Sequence, residues 1–119
     1  MSARRTVLVT GAGGQVGREA TVRFEAAGWD VVAHDRASLD VTSRADVLAA
    51  VAAAAPDAVV NLAACNAVDL AETEVDAAYA VNALAVRHLV AACRRAGARL
   101  CHVSTDYVFD GTKDGPYVE

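Results

Sequence analysis

"VTGAGGQVGREA", residues 9–20, is the stretch on which the reading of this chain turns. It opens on the end of a short β-branched run, Thr6 to Thr10, and passes through glycines into residues of helical character. A run that short and apolar, closed by glycine, is what a strand buried on both faces requires. Gly11, Gly14 and Gly17 are spaced G-x-x-G-x-x-G across the turn. Gly11 permits the sharp turn, Gly14 lets a diphosphate approach the backbone, and Gly17 lets the helix pack closely on the strand. The helix N-terminus then presents free N–H groups and the positive end of its dipole to an anion. A Walker loop is excluded, because Val16 stands where that motif has its second glycine and no lysine follows.

The same alternation continues along the chain. Further short apolar runs occupy Asp30 to Asp35, Asp57 to Ala63 and Arg99 to Ser104. Between them lie three segments of helical pattern. One runs from Gly14 to Gly28, placed as a C-terminal cap; one starts on Ser43, a fitting N-cap, and stops at Pro56; the third runs from Asp76 to Gly97, with Arg94 and Arg95 near the negative end of its dipole. Apolar strands that alternate with helices imply βαβ units with right-handed crossovers. The expected fold class is α/β, a doubly wound parallel sheet of about four strands covered by helices on both faces. Residues 1–119 form one domain, and only the glycine-rich end after Phe109 reads as loose.

Composition narrows the function classes. The chain is 55% hydrophobic but only 5% aromatic, so its core rests on Ala, Val and Leu. A net charge of -4 with scattered basic residues gives no Lys/Arg stripe for nucleic acid or an anionic membrane surface. No segment approaches the roughly 20 apolar residues of a membrane span, and glycines interrupt the N-terminal apolar run too early for a signal sequence. Cys65, Cys93 and Cys101 lack CxxC spacing and read as reduced core thiols, which points to a cytoplasmic location.

Asp35, 18 residues after Gly17 at the end of the second apolar run, is placed to accept hydrogen bonds from an adenosine ribose. Arg36 follows it and is suited to a 2'-phosphate, so NADH and NADPH both remain open. "HVSTD" is not a Ser-His-Asp triad: His102, Ser104 and Asp106 on one strand cannot adopt that geometry, and no G-x-S-x-G is present. His34, His88 and His102 lack metal-ligand spacing and read as half-buried, singly satisfied imidazoles. The acidic run of Asp69, Glu72, Glu74 and Asp76 reads as a solvated helix start, and no metal is assigned to it.

Four segments taken together, "TGAGGQVG", "LDVTS", "PDAVVNLAACNAVDLAE" and "VSTDYVFDG", resemble the dTDP-4-dehydrorhamnose reductases, the sugar-nucleotide reductase branch of the extended short-chain dehydrogenase/reductases. The resemblance covers essentially the whole chain and implies a Rossmann-type NAD(P)-binding fold, with NADPH or NADH as cofactor and a nucleotide-activated 4-keto-6-deoxysugar as substrate. It implies that Gly14, Gln15 and Val16 hold the diphosphate, that Asp35 lies at the ribose, and that Asp40 and Val41 flank the adenine. Ala63, Ala64, Cys65 and Asn66 would line the cofactor and substrate crevice, with Val68 also toward the substrate. The family usually carries an aromatic residue or His followed by Thr where this chain has Cys65 and Asn66. Asn82 would bond the backbone and help a proton relay. Thr105 would hydrogen-bond the substrate oxygen, with Asp106 near the sugar nucleotide.

Ketone reduction of this kind also needs a phenol of lowered pKa held by a lysine, the Tyr-x-x-x-Lys pair of the family. Tyr79, Tyr107 and Tyr117 have no lysine four residues on, and Lys113 is the only lysine. The chain is therefore expected to be the cofactor-binding N-terminal part of such an enzyme, without the substrate-binding region and inactive alone. Its last strand is expected to be a self-associating edge, and the resemblance allows a homodimer. The other readings are a non-catalytic dinucleotide-binding regulatory protein, or a sugar-nucleotide epimerase or dehydratase.

Overall fold

A computed structural model describes residues 2–119. In chain order the elements are β1 (Thr6–Thr10), α1 (Gln15–Ala26), β2 (Asp30–His34), α2 (Arg44–Ala54), β3 (Ala58–Asn61), α3 (Val68–Thr73), α4 (Val75–Tyr79), a π-type turn (Ala80–Leu84), α5 (Ala85–Ala96) and β4 (Arg99–His102). A single 3-10 turn, Asp106–Val108, follows β4. The strands form one parallel sheet in the order β2-β1-β3-β4.

β1 is central and buried on both faces, as its sequence requires. Its alternate residues separate two packing zones. Leu8, with Val59 of β3, faces Val47 and Val51 of α2 and Leu89, Ala92 and Cys93 of α5. Val7 and Val9 point to the opposite face, where α1 packs on β1 and β2. The sheet is thus doubly wound, but the expectation of apolar strands covered throughout does not hold. β2 and β4 are half exposed, because among the described residues α1 alone packs on its side of the sheet and no helix there covers β4. Cys101 sits on that open stretch and is exposed, and Cys65 is half-buried, so only Cys93 is the core thiol that the sequence suggests.

Helix ends follow their local chemistry. α1 closes in a Schellman arrangement: the Gly28 N–H donates to Glu25 O and the Trp29 N–H to Phe24 O, while the Phe24 and Trp29 rings meet edge to face at 5.5 Å. Ser43 caps α2 through a bond from the Asp46 N–H, and Gly97 ends α5 at φ 68°. The third helical segment departs from one continuous helix. Residues 68–73 form a separate short helix broken at Glu74, and a π-type turn at residues 80–84 separates α4 from α5.

Two features of α2 and α5 lead to predictions. Ala55, the C-cap of α2, sits at φ 44°, in the left-handed region where a Cβ costs about 1–2 kcal/mol. Part of that is offset by glycine's freedom in the unfolded chain, itself curtailed at a residue preceding proline. Ala55→Gly should therefore raise stability by about 0.5 kcal/mol, read from urea denaturation; an unchanged or lowered midpoint would refute the strain. His88 on α5 keeps its Nδ1 buried without a partner. Burial first, then the positive charges of Arg44 and Arg87, hold its pKa below the ordinary histidine value. The unfolded state then binds the proton more readily, so stability should fall as pH drops through the unfolded value near 6.5. A His88→Leu variant should lose less stability between pH 7.5 and 5 than the parent, and equal losses would rule this group out as the cause.

Candidate functional site

The strand order fixes where a ligand crevice opens. The chain runs outward from β1 to β2 and then returns past β1 to β3, so the connections after β1 and β3 leave in opposite directions. At such a switch point the carboxyl ends of adjacent parallel strands leave a cleft. Gly11 sits there at φ 67°, and a Cβ on it would stand 2.5 Å from the Leu62 carbonyl carbon and 2.6 Å from the Ala63 nitrogen. A Cβ on Gly17, at the base of α1, would stand 2.1 Å from the Gly11 carbonyl oxygen. Both glycines are demanded by the protein's own packing. Gly14 is different: its Cβ would make only an ordinary 3.5 Å contact, so its lack of a side chain matters to the space in front of it.

That space is a crevice of about 1160 Å³. Gly11, Gly14, Asp35, Arg36, Asp40 and Val41 line it from the β1 and β2 side, and Ala63, Ala64, Cys65 and Asn66 from the β3 side. Gln15 and Val16 lie instead on the exposed flank of α1, Gly17 is buried beneath it, and Asn82, Val68, Thr105 and Asp106 stand outside the crevice wall. Leu70, Glu74, Ala77 and Val81 complete the wall, a contribution invisible in a sequence where these residues read as ordinary helix. α1 begins without a side-chain cap and without an acidic residue in its first turn, which leaves its N-terminal N–H groups and dipole facing the cleft uncompensated.

The carboxylates beside the crevice are held by their own turns. Asp35 Oδ1 accepts from the N–H groups of Ser38 and Ala37, both at 2.9 Å, and these bonds, Ser38 first, keep its carboxyl below the usual range. Asp40 Oδ1 accepts from the Thr42 hydroxyl at 2.6 Å and the Thr42 N–H at 2.9 Å. Those bonds, with the positive charge of Arg36, lower its pKa too. One carboxylate oxygen of Asp35 therefore makes the turn, and the other carries no hydrogen bond among the described residues.

A polar row crosses the strand ends, and the sequence does not reveal it. Thr10, Asn61 and His102 are register partners on β1, β3 and β4. The Thr10 hydroxyl donates to Asn61 Oδ1 at 2.6 Å, and the Ala63 N–H donates to the same oxygen at 3.3 Å. With its oxygen so engaged, the Asn61 amide group donates to His102 Nδ1 at 3.0 Å. Thr10 and Asn61 are each 1% exposed. The available signal is a hydrophilic residue at the end of each of three apolar runs. His102 is exposed and His88 lacks a partner at Nδ1, so only His34, bonded to Ser38, fits the half-buried, singly satisfied description.

Asn82 lies exposed on the π-type turn. There it grips the loop after β3 at both ends of one residue: its Oδ1 accepts the Cys65 N–H at 2.8 Å and its Nδ2 donates to the Cys65 carbonyl at 3.2 Å. Thr105 caps the short turn after β4; its hydroxyl accepts the Tyr107 N–H and donates to Asp106 Oδ1 at 3.3 Å. The segment after Phe109 is knit, not loose. Tyr117 stacks on Phe109 at 4.4 Å and donates to Asp110 Oδ1, which also accepts the Thr112 N–H.

Comparison with known proteins gives a consistent picture. The family described as RmlD substrate binding domain matches residues 5–119. A dTDP-4-dehydrorhamnose reductase of Streptomyces griseus is 51% identical over 112 residues, covering 94% of this chain and 37% of its own length. One from Burkholderia thailandensis is 50% identical over 115 residues, covering 95% and 38%. The crystal structure of a dTDP-4-dehydrorhamnose reductase from Bacillus anthracis in complex with NADP superposes with TM-score 0.90 at 34% identity, covering 95% of this chain and 40% of that one. The chain thus spans about two fifths of the length of these relatives. The fold is the Rossmann type that the first glycine turn suggests.

The buried row yields a double-mutant test. Asn61→Leu should destabilise by about 1–3 kcal/mol, because it leaves the buried Thr10 hydroxyl unsatisfied, and Thr10→Val by about 1 kcal/mol, because Asn61 Oδ1 keeps its bond from the Ala63 N–H. The pair together should cost less than the sum by about 1 kcal/mol. Strict additivity in urea denaturation would show that the two side chains share no bond.

Proposed function

Because the chain belongs to the RmlD substrate binding domain family, we propose that it is the NAD(P)H-binding portion of a reductase acting on a nucleotide-activated 4-keto-6-deoxysugar, of the dTDP-4-dehydrorhamnose type. The observation that carries this reading is the crevice itself. A glycine turn, an uncapped helix N-terminus and the carboxylate of Asp35 converge on one face of a cleft at the switch point of the sheet. Its donor set suits a dinucleotide, with N–H groups for a diphosphate and a carboxylate for ribose hydroxyls.

In this reading the diphosphate comes close over Gly11 and Gly14, the Gly14 N–H being already bonded to the Gly11 carbonyl, and is received by the backbone N–H groups of Gln15, Val16 and Gly17, so the outward side chains of Gln15 and Val16 are no obstacle. Asp35 takes the ribose hydroxyls on the oxygen its turn leaves open, and Arg36 is the group available to a 2'-phosphate. Asp40 and Val41 border the adenine; the Val41 side chain packs into the core, so its contribution there is backbone and wall. Ala63, Ala64 and Cys65 form the opposite wall, with small side chains that let a flat ring lie close, and Asn82 holds Cys65 in place. The cofactor, when bound, supplies hydride to the ketone carbon.

Asn66, Val68, Thr105 and Asp106 lie toward the substrate. The Thr105 hydroxyl proton is directed at Asp106, so engaging a substrate oxygen requires the hydroxyl to turn from that carboxylate. The proton that must reach the ketone oxygen needs a donor with a lysine beside it, and no Tyr-x-x-x-Lys occurs in these 119 residues. Residues 1–119 act here as the cofactor domain, incomplete with respect to the sugar.

Titrating the 119-residue chain with NADPH and NADH should give saturable binding by calorimetry, weakened at least tenfold by Asp35→Ala for NADH and by Arg36→Ala for NADPH. Adding the 4-keto sugar nucleotide should produce no loss of absorbance at the nicotinamide band. Failure of the folded chain to bind either dinucleotide at millimolar concentration would overturn the cofactor assignment, and substrate-dependent oxidation would overturn the assignment of the proton donor to another segment.

A further inference from the structure

Glu74 is the one charged side chain on the helical wall of the crevice. It stands where α3 ends and α4 begins, with its N–H donating to the Leu70 carbonyl at 2.7 Å and its carbonyl accepting the Ala78 N–H at 3.0 Å. Its backbone is therefore fixed. Its carboxylate is exposed and makes no ion pair or hydrogen bond among the described residues.

Leu70, Ala77 and Val81, on the same wall, are apolar. Across the crevice Asp40 and Val41 form the wall on the β2 side. Asp40 spends Oδ1 on the hydroxyl and N–H of Thr42, and its Oδ2 carries no hydrogen bond among the described residues. The slot thus has small apolar side chains along one wall and an unengaged carboxylate oxygen on each side. Two carboxylates repel the phosphate portions of a dinucleotide, so the part that enters between them is an uncharged base. An ionised carboxylate only accepts hydrogen bonds. Adenine presents an amine with two hydrogens at the ring position where a 6-oxopurine presents a carbonyl oxygen.

We propose, resting on the cofactor assignment above, that Glu74 selects the base of the dinucleotide. It accepts one hydrogen of the adenine amine from the helical wall, while Asp40 accepts the other from the β2 side. A 6-oxopurine in the same place sets its carbonyl oxygen against two carboxylates and leaves both without a donor, so the slot rejects the wrong base as well as holding the right one.

Calorimetric titration of the 119-residue chain, comparing NADH with the reduced dinucleotide in which hypoxanthine replaces adenine, tests this. The parent chain should bind NADH about tenfold more tightly than the analogue, or better. Glu74→Gln removes the charge and supplies an amide donor for the analogue's carbonyl oxygen, so it should cut that ratio by roughly threefold or more, and Glu74→Lys should cut it further. The ratio is the readout because a change in fold or in overall charge acts on both ligands alike. A parent that does not discriminate, or a ratio that neither substitution lowers, would overturn the proposal and leave the cofactor assignment standing. A parent that binds neither dinucleotide would overturn both.

Discussion

A Cβ on Gly11 would stand 2.5 Å from the carbonyl carbon of Leu62, so the turn after β1 can lie against the exit of β3 only while that position is glycine. The same turn is approached from the other side by α1, where Gly17 leaves no more than contact distance to the Gly11 carbonyl. Two backbones and a helix therefore meet around one residue. This contact draws the ends of β1 and β3 together, aims the N-terminus of α1 across them, and defines the floor of the crevice. The buried bond from Thr10 to Asn61, one residue before Gly11 on one strand and one before Leu62 on the other, locks the same junction from beneath. Steric necessity and hydrogen bonding act on neighbouring residues, and both act before any ligand is considered.

Features governed by neighbours in sequence are readable from the chain. β1 is copied by its apolar run residue for residue, Gly28 and Gly97 end helices with positive φ, and Ser43 caps α2 as its position suggests. Asp35, Asp40 and the Ala63 to Asn66 segment do converge on one crevice. Features governed by distant partners are not readable. Asn61 looks like the polar end of a strand until Thr10 and His102 are set beside it by register. The exposure of Cys101 depends on which face of β4 lacks a helix, which no local pattern encodes. Glu74 is an exposed charge at a helix start, as its run reads, but that it also ends the preceding helix and borders the cleft is not visible in the sequence. The segment after Phe109 has a composition that reads as loose, yet Asp110, Tyr117 and Phe109 close it through contacts seven and eight residues apart.

The anionic groups of the crevice illustrate how one side chain serves structure and chemistry together. Asp35 uses one oxygen to fold the turn after β2, and the bonds that do so hold its pKa below the ordinary aspartate value. The adjacent guanidinium of Arg36 moderates the negative field that Asp35 and Asp40 create, which matters for any ligand that brings its own phosphate.

The π-type turn ties the helical layer to the crevice. An extra residue per turn in a helix is unfavourable by itself and is retained where something outside the helix compensates it. Asn82 provides that compensation on one side, since the widened turn lets its amide engage both the N–H and the carbonyl of Cys65. Replacing the turn with regular helix would rotate Asn82 away from the loop after β3.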